Sequence, residues 1–139
     1  MDDSKEDSVI KPSPVTVFQT GMNATFVSSI TNALIYSVAK LFTFPEGALT
    51  PMGIPITVAP VIFNTMLGGV GAMIGFFMLI QFLPRQIANR AMWVVAGIIL
   101  VAMSILPFRI ENVPVSQIIF LEIMHLVAGI IPVYWLTKH

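Results

Sequence analysis

Four long stretches of the chain run almost free of charge, and their polar residues recur at helical spacing rather than at random. A bilayer-crossing helix needs roughly 20 consecutive, mostly apolar residues. The pattern predicts four such helices, spanning about residues 17–44, 57–83, 91–108 and 114–136. The first is the least apolar. Its Thr25, Ser29, Asn32, Tyr36 and Lys40 follow steps of four and three, which places them on one helical face. Val27, Ile30, Leu34 and Val38 occupy the rest of its surface.

The second stretch opens near Pro55 and Pro60, in a first turn where a missing N–H has no partner to lose. Thr57 stands where a cap is expected, and Asn64, Gly68, Gly71 and Gly75 again share a face. The third is almost wholly apolar, with Asn89 as its expected cap, Pro107 at its end, and Gly97 and Ser104 as its inward candidates. The fourth carries Glu122 and His125 and closes near Tyr134 and Trp135, rings that favour the headgroup region.

The links at residues 84–90 and 109–113 are short, which implies antiparallel neighbours. The connection at about residues 45–56 is richer in proline and glycine. The expected fold is all-α: a four-helix transmembrane bundle running up-down-up-down over residues 17–139. Residues 1–16 form an expected disordered tail, with Asp2, Asp3, Glu6 and Asp7 near its start and Pro12 and Pro14 keeping it extended. An acidic opening does not fit a secretory signal, which begins with basic residues. Lys5, Lys11, Arg85, Arg90 and Lys138 fall on one side of such a bundle, against Lys40 and Arg109 on the other. Basic residues stay cytoplasmic, so both termini are expected there.

Composition sharpens the membrane reading. Of 139 residues, 56% are hydrophobic and only 10% charged, where a soluble domain carries about 25% charged residues. The mean hydropathy is +0.88. The lipid bilayer is the partner this implies. Formal net charge is +0 and the basic residues form no cluster, which argues against nucleic acid. The chain has no cysteine, which excludes disulfides, thiolate metal sites and cysteine nucleophiles. It shows no phosphate loop and no pairing of nucleophile with base.

Glu122 and His125 are the ionisable side chains expected inside the hydrocarbon. A charge there is costly on a lipid-facing surface, so both are expected to face inward. Their spacing of three residues puts them on one face, which Gly129 and Pro132 continue. Matching depths along antiparallel helices suggests one polar cluster of Glu122, His125, Asn64, Asn32 and Tyr36. Gly68, Gly71, Gly75 and Gly129 are read as helix-packing positions, the three on the second helix first within the chain and alternatively between two copies. Glu-x-x-His is also the spacing of di-iron bundle ligands, but such sites need a second pair and two further glutamates. No metal and no cofactor are therefore assigned. The plain reading of Glu122 and His125 is a structural pair, closed by a hydrogen bond from neutral Glu122 to His125 or Asn64. A proton relay is the sharper one.

Three features resemble a family of small bacterial four-helix membrane proteins of unknown function. They are the asparagine-containing first helix with the proline-rich loop from Phe44 to Pro60, the glycine-bearing second helix ending Leu83-Pro84-Arg85, and the run Met124-His125-Leu126-Val127-Ala128-Gly129. The resemblance covers about residues 18–138. It implies a multi-pass bacterial inner-membrane protein and brings no activity. The expectation taken forward is a non-enzymatic scaffold or an accessory subunit of a larger membrane complex, with a homo-oligomer also open. One alternative is a small oligomeric transporter or proton-coupled permease working through Glu122 and His125. The other is a redox subunit holding a cofactor on His125.

Overall fold

A computed structural model describes residues 12–42, 55–105 and 114–138. The expected residues 1–11 of the tail and most of the 45–56 connection lie outside these. Four helices appear in order: α1 Pro14–Phe42, α2 Val58–Phe82, α3 Arg85–Ile105 and α4 Val115–Lys138. Each is long and apolar enough to cross a membrane. The chain is a multi-pass membrane protein.

The helix starts depart from the sequence expectations in an instructive way. α1 begins at Pro14 rather than near residue 17. Ser13 caps it: its Oγ accepts the Thr16 N–H at 3.1 Å, and its carbonyl accepts the Val17 N–H at 3.1 Å. Pro14 then occupies the first helical position, where proline is pre-organised and loses no hydrogen bond. α3 begins at Arg85, so the expected link 84–90 shrinks to Leu83 and Pro84. The Pro84 carbonyl takes the Ala88 N–H at 2.9 Å, and Asn89 lies inside the helix rather than capping it. Thr57 does sit at the N-cap of α2, with an extended backbone, but makes no side-chain cap bond.

Hydrogen bonds and contacts fix the directions. Late α1 meets the segment entering α2 through Tyr36 and Ile56, while Gly21 of early α1 faces Met73 far along α2. Asn32 and Ser28 of α1 reach Met124 and Val127 of α4 in opposite order. Early α3 bonds late α4 through Asn89 and Thr137, and late α3 bonds early α4 through Ser104 and Glu122. Each of these pairs is antiparallel, so the bundle is up-down-up-down.

The cross-section is a flattened rhombus. α2 and α4 touch across the centre, α1 fills the groove on one side of them, and α3 lies on the other. Among the described residues α1 and α3 do not meet. α1 is the most deeply seated, and beyond Val17 its buried face is mostly small or polar: Gly21, Ala24, Thr25, Ser28, Ser29, Asn32, Tyr36 and Ala39. Its large apolar residues, Phe26, Ile30, Leu34 and Val38 among them, point outward. This reverses the soluble pattern for a physical reason. Lipid tails solvate leucine as well as another helix does, so association rests on close packing and interhelical hydrogen bonds instead.

α3 is the opposite case. Only Ala88 and Met92 near its start are buried, whereas Val94, Ile98 and Val101 face outward. Two apolar clusters complete the interior. Val17, Met73, Phe76, Ile80, Ala88, Met92, Val133 and Leu136 pack at the end where the described chain starts and finishes. Tyr36, Ala39 and Met124 pack toward the other.

Candidate functional site

The polar side chains that join the helices fall into three groups. The central one is built on Asn32, which is 1% exposed. Its Nδ2 donates to Thr65 Oγ1 at 3.0 Å and to the Met124 carbonyl at 2.9 Å, so one amide ties α1, α2 and α4. Thr65 Oγ1 in turn donates to the Val61 carbonyl at 2.8 Å. One turn along α1, Ser28 Oγ donates to the Val127 carbonyl at 3.3 Å. Thr25 Oγ1 donates to the Gly21 carbonyl at 2.7 Å and lies directly against Gly69 of α2. Tyr36 stands toward the far end, donating its hydroxyl to the Ile56 carbonyl at 2.6 Å. That bond holds the start of α2 against the end of α1.

The second group lies between α3 and α4. Ser104 Oγ donates to Glu122 Oε2 at 2.6 Å. Glu122 Oε1 and His125 Nδ1 are both buried and have no hydrogen-bond partner. Gly129 continues the same face of α4 and receives Leu100 of α3, whose Cδ2 would come within 2.9 Å of a β-carbon there. Glu122, His125 and Gly129 thus form a stripe turned toward α3.

The third group is at the end of α4. The Thr137 carbonyl accepts Asn89 Nδ2 at 3.0 Å, and its hydroxyl accepts Trp93 Nε1 at 3.2 Å. Lys138 beside it donates to the Tyr134 hydroxyl at 2.8 Å. Together with Ser104, these bonds pin α3 near both of its ends.

The single cluster expected from sequence is therefore divided. Asn32 and Glu122 serve different interfaces, because Met124 and Glu122 point to opposite sides of α4. Asn64 joins neither: it is exposed on the outer face of α2, and Thr65 takes the inward position one residue on. The glycines shift in the same way. Gly68, Gly71 and Gly75 have no atom within 4 Å of where a β-carbon would stand, so they do not pack within the chain. The close approaches are at Gly69 against Thr25, Gly21 against Met73 and Gly129 against Leu100. The missed positions had a signal: Thr65 and Gly69 of α2, and Gly21 and Thr25 of α1, are small residues spaced four apart, the spacing that lets backbones come together. Among the described residues no three His, Asp or Glu side chains converge as a metal site would require.

A family described as a family of unknown function (DUF6069) matches residues 12–139, and the chain belongs to it. No curated protein and no solved structure matches the chain.

Proposed function

We propose that this family member is a non-enzymatic accessory or scaffold subunit of a bacterial inner-membrane complex, and that it docks a neighbouring transmembrane helix on the outward face of α2. The observation that carries the reading is the stripe Asn64, Gly68, Gly71, Gly75. Open space lies over all three glycines, and the exposed Asn64 amide heads the stripe. Three glycines on a lipid-facing surface leave a shallow groove where a second helix can bring its backbone close. Such a visitor also offers the Asn64 amide an interhelical hydrogen bond. The visitor is a helix of another subunit or the same face of a second copy.

Complex size in native-lipid particles tests this. The wild-type chain should run in an assembly larger than one copy. Gly71→Leu, which fills the groove, should release it as a monomer. Gly97→Leu on α3, also at a site with open space around it, should leave the assembly intact. A monomeric wild type, or an assembly indifferent to Gly71→Leu, would sink the proposal.

A second reading has its own support. The partnerless Glu122 Oε1 and His125 Nδ1 suit a proton-coupled permease working as an oligomer. Proteoliposomes should then show a solute flux that Glu122→Gln abolishes, and a full screen without flux would end that reading.

A further inference from the structure

We propose that Glu122 and His125, with Ser104, form a binding site for one exchangeable proton in the α3–α4 interface. The inference stands apart from the docking face on α2 and survives if that face proves idle.

The argument starts from partners. Glu122 has four acceptor positions on two oxygens, and the structure supplies one donor, Ser104 Oγ on Oε2. Oε1 is buried and receives nothing. One turn along the same face, His125 Nδ1 is also buried and also unpartnered. A structural pair would be closed by a hydrogen bond between the two side chains. Here two groups able to hold a proton are left open side by side, among apolar residues.

Charge balance decides how many protons the pair holds. Among the described residues of the neighbouring helices, nothing else nearby can neutralise it. α2 contains no titratable side chain over Val58–Phe82. On α3 the titratable residues are Arg85 and Arg90, in its first two turns, while Ser104 is in its last. On α1 they are Tyr36, whose hydroxyl is engaged with Ile56, and Lys40, exposed in the last turn. An uncompensated charge in hydrocarbon is costly, so the electrically neutral states of the pair are favoured. There are two of these, and they hold the same number of protons. In one, the proton sits on a Glu122 oxygen and the imidazole is neutral. In the other, it has moved to His125, leaving carboxylate beside imidazolium. The transfer breaks an O–H bond and forms an N–H bond with no net change of charge. Loss of that proton to water leaves the pair at minus one, and return restores neutrality.

Glu122 lies seven residues into α4, about 10 Å from its first residue, so the site is about two helical turns from the nearer end of the helix.

Infrared difference spectra of the full chain in lipid nanodiscs, taken across about pH 4 to 10, give the test. The wild type should show a protonated-carboxyl band that titrates and that Glu122→Gln removes. His125→Ala should move its midpoint by about one pH unit or more, as expected of coupled groups. A difference spectrum unchanged by Glu122→Gln, or a midpoint indifferent to His125→Ala, overturns the proposal. Should Glu122→Gln fail to fold, Ser104→Ala retains both titratable groups. It should shift the frequency of the band while the titration persists, and an unshifted band would count equally against the site.

Discussion

Replacing Gly69 by alanine should destabilise the bundle, while the same change at Gly71 should not. A β-carbon at Gly69 would stand 2.8 Å from Thr25 Cγ2 and 2.9 Å from Thr25 Cβ, with Thr25 Oγ1 closer still. Carbon atoms rest about 3.5–4.0 Å apart, so the helices must separate by several tenths of an ångström. Thr25 cannot swing aside freely. It is 2% exposed, and its hydroxyl is bonded to the Gly21 carbonyl at 2.7 Å. Overpacking of this kind typically costs about 1–3 kcal/mol. At Gly71 nothing lies within 4 Å, and alanine adds only its better helix propensity. Reversible unfolding in mixed micelles, followed by helicity against denaturing-detergent fraction, measures both. Thr25→Ala removes two of the three clashing atoms, so the double variant Gly69→Ala/Thr25→Ala should cost less than the sum of its parts, by about 1 kcal/mol. Equal stabilities for the Gly69 and Gly71 variants, or strict additivity with Thr25→Ala, would refute the close packing of α1 on α2.

Two further outcomes follow from the hydrogen bonds. Asn32→Ala removes two interhelical bonds, each worth about 0.6 kcal/mol in a membrane protein. It should lower stability by about 1–2 kcal/mol in the same assay, with Asn64→Leu neutral, and the reverse ranking would discredit the inward placement of Asn32. Asn89→Ala should speed amide exchange in the first turns of α3, where its bond to Thr137 is lost, and leave α1 unchanged. Uniform acceleration across all four helices would instead mean that α3 is not separately anchored.

The number and kind of helices were readable because bilayer thickness sets a length of apolar chain that few other structures need. The inward face of α1 was readable for a related reason. Thr25, Ser29, Asn32 and Tyr36 are polar residues at helical spacing in an otherwise apolar helix, and the structure buries all four. The same logic misplaced α2. There the polar and glycine positions 64, 68, 71 and 75 look outward, while Thr65, Gly69, Met73, Phe76 and Ile80 face the bundle. In water an apolar stripe marks the buried side. In lipid both sides of α2 are apolar, and two overlapping small-residue patterns one position apart carry no label saying which is inside. The helix starts were obscured by residues with two meanings. Pro14 and Pro84 read as breakers yet sit at helix entrances, and Arg85 and Arg90 read as a loop because charges leave the hydrocarbon, although the helix does not stop where the hydrocarbon does. The division of Asn32 from Glu122 needed the rotation of α4, which depth alone does not supply.

Asn32 and Ser28 both hold α4 by its main-chain carbonyls, at Met124 and Val127. A carbonyl is present whatever side chain stands above it. The burden of keeping these two helices in register therefore falls unequally: α1 must retain its donors, while α4 is free to exchange one apolar residue for another of similar bulk at the two acceptors. In a deep mutational scan the interface should look one-sided: intolerant at positions 28 and 32, but accepting apolar residues of similar bulk at the buried position 124 and at position 127, even though the same bonds join both helices.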